Sequence, residues 1–228
     1  MLALVGSGEY LPPMEPVDRI LLRRLPAPAL VVCLPTAAGT EGPERIGYWE
    51  RLAVEHFTRL NSPVQSLPVV DPASANDPAL AGAVSEANFV YLSGGHPDYL
   101  YRTLAGSLVW KAILSVLEKG GLIAGCSAGA MVLGEALFGI PPQRRSSGFR
   151  LLPGAMVIPH YDEIPRWIST LLHYWAGRGL TTVGIEANTA LSENDGRMEV
   201  LGSGGVTIWN RAGEKRYTQG SLPSWPRS

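Results

Sequence analysis

Gly125-Cys126-Ser127-Ala128-Gly129 follows the apolar run Leu122-Ile123-Ala124 and precedes Ala130-Met131-Val132-Leu133. This G-x-S-x-G pattern between a strand and a helix predicts a nucleophile elbow, a tight turn that lifts the central side chain above a parallel sheet. Glycines flank the turn because a Cβ would crowd it. Ser127 is therefore a candidate nucleophile. The N–H of Ala128 points the same way, toward the place where an oxyanion would form. Cys126, one position before the centre, is expected to point away from the cleft and to be structural.

A serine nucleophile needs a base, and the chain has four histidines to choose from. His56 and His173 fall mid-helix. His160 ends the apolar run Val157-Ile158-Pro159, at a strand end where a base would belong. His96 is its rival, because Gly94-Gly95-His96-Pro97 follows another strand. That glycine pair could present a second backbone N–H to an oxyanion, or it could be only a tight strand-to-helix turn.

These residues need a scaffold. Strands are expected at Leu2–Val5, Ala29–Leu34, Val64–Val69, Phe89–Leu92 and Leu122–Ala124. Helical patterns at Val17–Leu25, Glu44–Leu60, Pro78–Ala87 and Leu108–Lys119 separate them. Such alternation predicts a doubly wound α/β fold, with a mostly parallel sheet and helices on both faces. In Glu44–Leu60, the residues Ile46, Trp49, Leu52, Ala53, Phe57 and Leu60 form one face, and His56 reads as a histidine at its edge. Beyond the elbow, Phe149–Pro159 is expected to hold a strand or strand pair, Pro165–Gly177 an amphipathic helix and Thr181–Ile185 another strand. Ala190–Ser192, Met198–Leu201 and Gly204–Asn210 predict a small C-terminal antiparallel meander. The tail from Ser221 is rich in Pro and Ser and reads as loose. In open α/β sheets ligands bind beyond the carboxyl ends of the strands. The loops Gly6-Ser7-Gly8-Glu9, Pro35–Gly42, Ser93-Gly94-Gly95-His96 and the elbow all lie there.

Composition narrows the classes. With 46% hydrophobic residues and a mean hydropathy of +0.08, the 228-residue chain can build a sizeable core, and we read it as one domain. Its 19 basic and 20 acidic residues give a net charge of −1, so no electrostatic argument favours nucleic acid or an anionic membrane. The two cysteines, Cys33 and Cys126, lie in apolar surroundings and indicate no disulfide framework. The apolar start Met1–Val5 reads as a strand rather than a signal segment, and no apolar run approaches a membrane span. A cytoplasmic location is the expectation.

The chain resembles the dipeptidase E and cyanophycinase family of serine peptidases, which share the class I glutamine amidotransferase-like fold. The resemblance runs from the first strand to about Leu201. It is carried by Gly6-Ser7-Gly8-Glu9, Leu92-Ser93-Gly94-Gly95 and Gly125-Cys126-Ser127-Ala128-Gly129-Ala130. It continues through Gly148–Gly154, Pro159-His160-Tyr161 and Gly184–Leu191. The resemblance implies Ser127 as nucleophile, His160 as general base, and Gly95 and Ala128 as oxyanion donors. It also implies a small peptide or related amide as substrate, with no metal and no cofactor. A degraded binding or sensing protein on the same fold, and a small-molecule esterase or acyltransferase, are the alternatives.

Two features depart from the family pattern. Gly94-Gly95-His96-Pro97 replaces a loop of the Gly-Gly-x-Gln or Gly-Gly-Gly-Asn type, so a polar substrate contact is lost or is supplied by His96 or Asp98. The family places its third acid between elbow and histidine, whereas here no Asp or Glu occurs between Glu135 and Asp162. Glu135, Asp162, Glu163 and Glu186 are the available substitutes, and Glu186, or no acid at all, is the favoured expectation. Arg144 and Arg145 stand where the acid should be. They either bind a substrate carboxylate bidentately or belong to a solvated loop.

Overall fold

A computed structural model describes residues 1–137, 146–165, 168 and 179–222. The chain runs β1 (Leu2–Val5), α1 (Glu15–Arg23), β2 (Val31–Leu34), α2 (Pro43–Arg59), β3 (Val64–Ser66), α3 (Pro72–Ala75), α4 (Pro78–Glu86) and β4 (Phe89–Leu92). It continues through α5 (Pro97–Leu104), α6 (Leu108–Glu118), β5 (Leu122–Cys126), α7 (Ala128–Leu133), β6 (Ala136–Leu137), β7 (Ser146–Ser147) and β8 (Ala155–Ile158). The described strands end with β9 (Thr181–Ile185), β10 (Thr189–Asn194), β11 (Arg197–Gly202), β12 (Val206–Asn210), β13 (Gly213–Tyr217) and β14 (Gly220–Leu222).

The main sheet has eight strands in the order β14-β11-β10-β1-β5-β4-β2-β3. From β1 to β3 its pairings are parallel; β10, β11 and β14 extend it antiparallel beyond β1. The central strands are buried along their whole length. Alternate side chains of each strand feed opposite faces, as the pleat requires. Ala3, Val5, Val31, Cys33, Phe89, Tyr91 and Cys126 pack on one side with Val17 and Leu21 of α1 and Ala53 and Phe57 of α2. Leu4, Val32, Leu34, Val90, Leu92 and Ile123 pack on the other with α4 to α7 and the smaller sheet. Cys126 therefore faces the α1 and α2 layer.

The predicted strands and helices of the N-terminal half are present, with ends moved by a few residues. Two further helices are present, the short α3 and α5, the latter starting at Pro97, one residue past the glycine pair. The expected C-terminal meander is divided between two sheets. β10 and β11 pair as a hairpin and join the main sheet through β1, whereas β12 leaves them for a second sheet of order β13-β12-β9-β8. In that sheet β8 and β9 run parallel, Ile158 beside Gly184. The ends of these two strands thus face the same way, with His160 just beyond one and Glu186 just beyond the other. The break falls at Gly202, where φ is +106° and a Cβ would come 2.2 Å from the Asn188 carbonyl oxygen.

His56 is not at the edge of its helix face. It is fully buried, and its Nε2 lies 2.8 Å from Oδ2 of the equally buried Asp18 on α1. Most of the expected helix at Pro165–Gly177, with Trp167, Leu171, Leu172, His173 and Trp175, lies outside the described residues, as does the tail beyond Leu222. Among the described residues no single helix is long and apolar enough to cross a membrane.

Candidate active site

Ser127 occupies the single position between β5 and α7, with φ 50° and ψ −111°. A non-glycine residue held there stores strain of order 1–3 kcal/mol, so its surroundings must over-determine it. They do so from both sides. The Ser127 N–H donates to the Val5 carbonyl at 3.0 Å, and its carbonyl accepts the Met131 N–H at 3.0 Å. The flanking glycines serve close approach. A Cβ on Gly125 would come 2.4 Å from the Gly129 backbone, and one on Gly129 would come 2.2 Å from the Leu92 carbonyl oxygen. Ala128 opens α7, so its N–H has no partner within the helix.

His160 reaches Ser127 from the second sheet. β8 ends at Ile158, and His160 turns back in the left-handed region with φ 52°. Its Nε2 lies 3.1 Å from Ser127 Oγ, with the ring part exposed. With Nε2 unprotonated, the serine hydroxyl donates to it and the ring is placed to take the proton. A short 3₁₀ turn, Tyr161–Glu163, follows, closed by the Glu163 N–H donating to the His160 carbonyl at 3.0 Å. Two anchors hold this turn. Tyr161 lies against Gly184, where a Cβ would come 2.4 Å from the ring, and its hydroxyl accepts the Trp209 indole N–H at 2.9 Å. Asp162 Oδ1 accepts the Ala187 N–H at 2.9 Å. Glu163 is left facing the histidine, its Oε1 3.7 Å from His160 Nδ1, an ion-pair distance rather than a hydrogen bond.

The other candidate acids are engaged elsewhere. Glu186 forms a bidentate pair with Arg216, with Nε to Oε1 at 2.6 Å and an Nη to Oε2 at 2.7 Å, and it also accepts the Gly205 N–H at 2.9 Å. The hydrogen bond from Arg216, chiefly, holds the Glu186 carboxyl below its ordinary range. Although the strand ends bring Glu186 to the same rim as His160, Arg216 of β13 claims both its oxygens. Glu135 stands at the opposite end of β8, where its N–H donates to the Ala155 carbonyl and its Oε2 accepts the Gly154 N–H at 2.8 Å. Asp162 is held by Ala187. Of the four, Glu163 is the acid at the ring.

Parallel pairing of β4 with β5 brings the glycine pair beside the serine. A Cβ on Gly94 would lie 3.4 Å from Ser127 Cβ. The Gly94 N–H is taken by Glu9 Oε1 at 3.0 Å, which leaves the Gly95 N–H as the donor this loop has to give. Gly95 has φ +139° and is wedged against Ala37, where a Cβ would come 2.5 Å from the carbonyl oxygen. The His96 N–H donates to that same carbonyl, while its exposed ring lies 3.9 Å from Glu41. Of the two histidines weighed as base, His160 is the one whose ring reaches Ser127 Oγ. Arg144 and Arg145 lie outside the described residues.

The sequence model of peptidase family S51 matches residues 2–201. The chain belongs to peptidase family S51. It is 31% identical over 156 residues to the cyanophycinase of Synechococcus elongatus, a match covering 64% of this chain and 48% of that protein. The cyanophycinase of Nostoc sp. is 28% identical over 156 residues, covering 64% and 52%. The chain thus spans about half the length of these curated relatives. A crystal structure of a peptidase from an acI-B1 Actinobacterium superposes with a TM-score of 0.87 at 32% identity, covering 98% of this chain and 96% of that one. A candidate peptidase E protein from Listeria monocytogenes EGD-e shares the fold, with a TM-score of 0.63 at 18% identity over 89% of this chain and 98% of that one.

S51 is a family of serine-type peptidases. Sequence reasoning weighed Glu163 but favoured Glu186 over it, and it gave Glu9 no role. Glu163 had a signal in its spacing. In a 3₁₀ turn, residues three apart stand over one another, so His160-x-x-Glu163 can form a pair if the turn forms. Glu9 was visible only as part of Gly6-Ser7-Gly8-Glu9. Its signal was a carboxylate in the first loop of a buried parallel sheet, which must find donors there. Among the described residues no group of His, Cys, Asp and Glu is arranged to hold a metal ion.

Proposed function

We propose that this S51 member is a serine hydrolase that cleaves a dipeptide or related small amide through an acyl-enzyme. The observation that carries the reading is the 3.1 Å contact between Ser127 Oγ and His160 Nε2 at a strained strand-to-helix elbow. The Ser127 proton moves to Nε2 as Oγ attacks the substrate carbonyl carbon. The negative charge that develops on the carbonyl oxygen meets the N–H groups of Gly95 and Ala128. Collapse of the tetrahedral intermediate breaks the C–N bond, and Nε2–H returns the proton to the leaving amine. Water then attacks the acyl ester, gives a proton to Nε2, and Ser127 leaves with that proton to release the acid. Glu163 supports the imidazolium that exists between these transfers, the role an orienting carboxylate plays in triads. No metal and no cofactor enters any step.

A fluorophosphonate probe tests the reading. Labelling is expected at Ser127 and is expected to vanish in Ser127→Ala with the fold intact. A panel of dipeptides and small esters then assigns the bond. Turnover of esters alone points to an esterase or acyltransferase. An adduct on Cys126 or on another serine overturns Ser127 as the nucleophile, and no reaction in the wild type removes the hydrolase reading in favour of a binding protein on the same fold.

A further inference from the structure

We propose that Glu9 is a positioning residue for the oxyanion site, setting where the Gly94–Gly95 backbone stands relative to Ser127. The proposal rests on the acyl-transfer reading above and deepens it. Glu9 lies in the loop after β1 and is 6% exposed. A buried glutamate normally answers to a cation or a full set of donors. Among the described residues this one has neither Lys nor Arg at ion-pair distance. Its Oε1 accepts the Gly94 N–H at 3.0 Å, and its Oε2 accepts the thiol of Cys126 at 2.9 Å.

Those two donors are informative because of where they sit. Cys126 is the residue before the nucleophile, and Gly94 is the residue before the remaining oxyanion donor. One carboxylate therefore ties the loop after β4 to the last residue of β5, reaching from the loop after β1. In the sheet these three strands are neighbours in the order β1-β5-β4, so the bridge spans the centre of the catalytic edge. Gly94 is enclosed between the carboxylate and the nucleophile. A Cβ there would come 2.8 Å from Glu9 Oε1 and 3.4 Å from Ser127 Cβ. Burial first, and the Glu9 charge second, push the Cys126 thiol well above its ordinary range, so the proton stays on sulfur and the thiol remains a donor.

An oxyanion donor is effective when it is already aimed at the position the charge will occupy. The Gly94–Gly95 loop is flexible by composition; the His96 N–H to the Ala37 carbonyl ties its far end, and Glu9 ties the Gly94 end in advance, without touching the substrate. Its loss should therefore weaken transition-state stabilisation while leaving ground-state binding nearly unchanged.

The experiment measures the rate of phosphonylation of Ser127 by a fluorophosphonate, with the maximal inactivation rate separated from the half-saturating probe concentration. Each variant is assayed well below its own Tm. Glu9→Ala is expected to lower the maximal rate about a hundredfold, the low end of what one oxyanion donor supplies, with half-saturation within about twofold of wild type. Glu9→Gln keeps an oxygen for Gly94 but turns an NH2 toward the thiol, and a loss of about tenfold is expected, one lost hydrogen bond's worth. Adding Cys126→Ser gives that NH2 a hydroxyl acceptor, so the Glu9→Gln/Cys126→Ser pair should recover most of the Glu9→Gln loss. This recovery is one that a purely structural role would not produce, and it carries the test if Glu9→Ala does not fold. Wild-type maximal rates in Glu9→Ala and Glu9→Gln, or effects confined to half-saturation, overturn the role of Glu9 while leaving Ser127 chemistry in place. A wild type that never labels at Ser127 overturns both.

Discussion

His160 and Glu163 stand three residues apart on one 3₁₀ turn, and that turn brings Glu163 Oε1 to 3.7 Å from Nδ1, on the side of the ring away from Ser127. A carboxylate placed there faces the nitrogen that does not meet the serine, as an orienting acid would. Both groups are open to water, with side-chain exposures of 41% and 69%, so solvent screens the interaction. Glu163→Gln is therefore expected to lower kcat about tenfold, far less than the roughly 10⁴-fold seen when a buried triad acid is neutralised. An unchanged kcat would return Glu163 to the solvent. A loss appearing only in Glu186→Gln would restore Glu186 as the partner.

Strain at the nucleophile gives a second expectation. Ser127 sits at φ 50° and ψ −111°, a conformation glycine adopts at little steric cost. Ser127→Gly should abolish probe labelling and yet raise stability by about 1 kcal/mol, the strain relieved less the entropy glycine loses on folding. Ser127→Ala keeps the Cβ and should show no such gain. Denaturant midpoints of the three proteins decide it. Equal midpoints for the glycine and alanine variants would mean that the elbow is not strained at this residue.

The elbow and the N-terminal strand-helix alternation were legible because their signals are local. Gly125 and Gly129 mark a turn, and the runs at Leu2–Val5 and Phe89–Leu92 have no other use than buried strands. The choice of His160 over His96 was legible only as a preference, since it depends on β8 joining a second sheet that faces the elbow. Pairing between distant strands is not written in periodicity, so the departure of β12 from β11 and its union with β9 could not be read. The preference for Glu186 as the third acid failed for the same reason. Glu186 does end a strand beside that of His160, as its position suggests, but Arg216 arrives from β13, thirty residues later, and takes the carboxylate.

That pair sets a pH dependence of stability. Arg216 holds the Glu186 carboxyl below its ordinary value of 4.5. A group whose folded pKa is depressed contributes stability that is complete above its unfolded value and is lost as pH falls through the folded one. Glu186→Gln should therefore cost stability at neutral pH and progressively less below about pH 4.5, where the wild type loses the same contribution. Arg216→Met should follow the same course. Parallel wild-type and variant stability curves down to pH 3, measured by urea unfolding, would show that the pair contributes nothing to folding.

Asp18 and His56 make the opposite case, deep in the α1 and α2 layer. Both side chains are fully buried and joined at 2.8 Å, and neither Asp18 Oδ1 nor His56 Nδ1 bonds to any described residue. Burial pushes the Asp18 carboxyl up, and His56 opposes that push through its hydrogen bond and charge. The histidine is thus what makes a buried carboxylate tolerable. His56→Phe fits the aromatic surroundings, where Phe57 and Tyr10 already lie against the ring, but it leaves Asp18 without its partner. Breaking a buried pair from one side costs about 3–5 kcal/mol, and that loss is expected at neutral pH. In the variant the Asp18 pKa rises further, so the carboxyl folds best protonated. A raised folded pKa gives stability that is present below the unfolded value and lost as pH rises through the folded one. The cost of His56→Phe should therefore be smallest in acid and grow as pH rises. Adding Asp18→Asn removes the titrating group and should erase that growth, leaving a smaller cost independent of pH. Urea unfolding of the single and double variants from pH 4 to 8 decides the matter. A cost in His56→Phe that does not change with pH would mean that Asp18 is never charged in the folded protein, and that the two side chains meet as a neutral hydrogen bond.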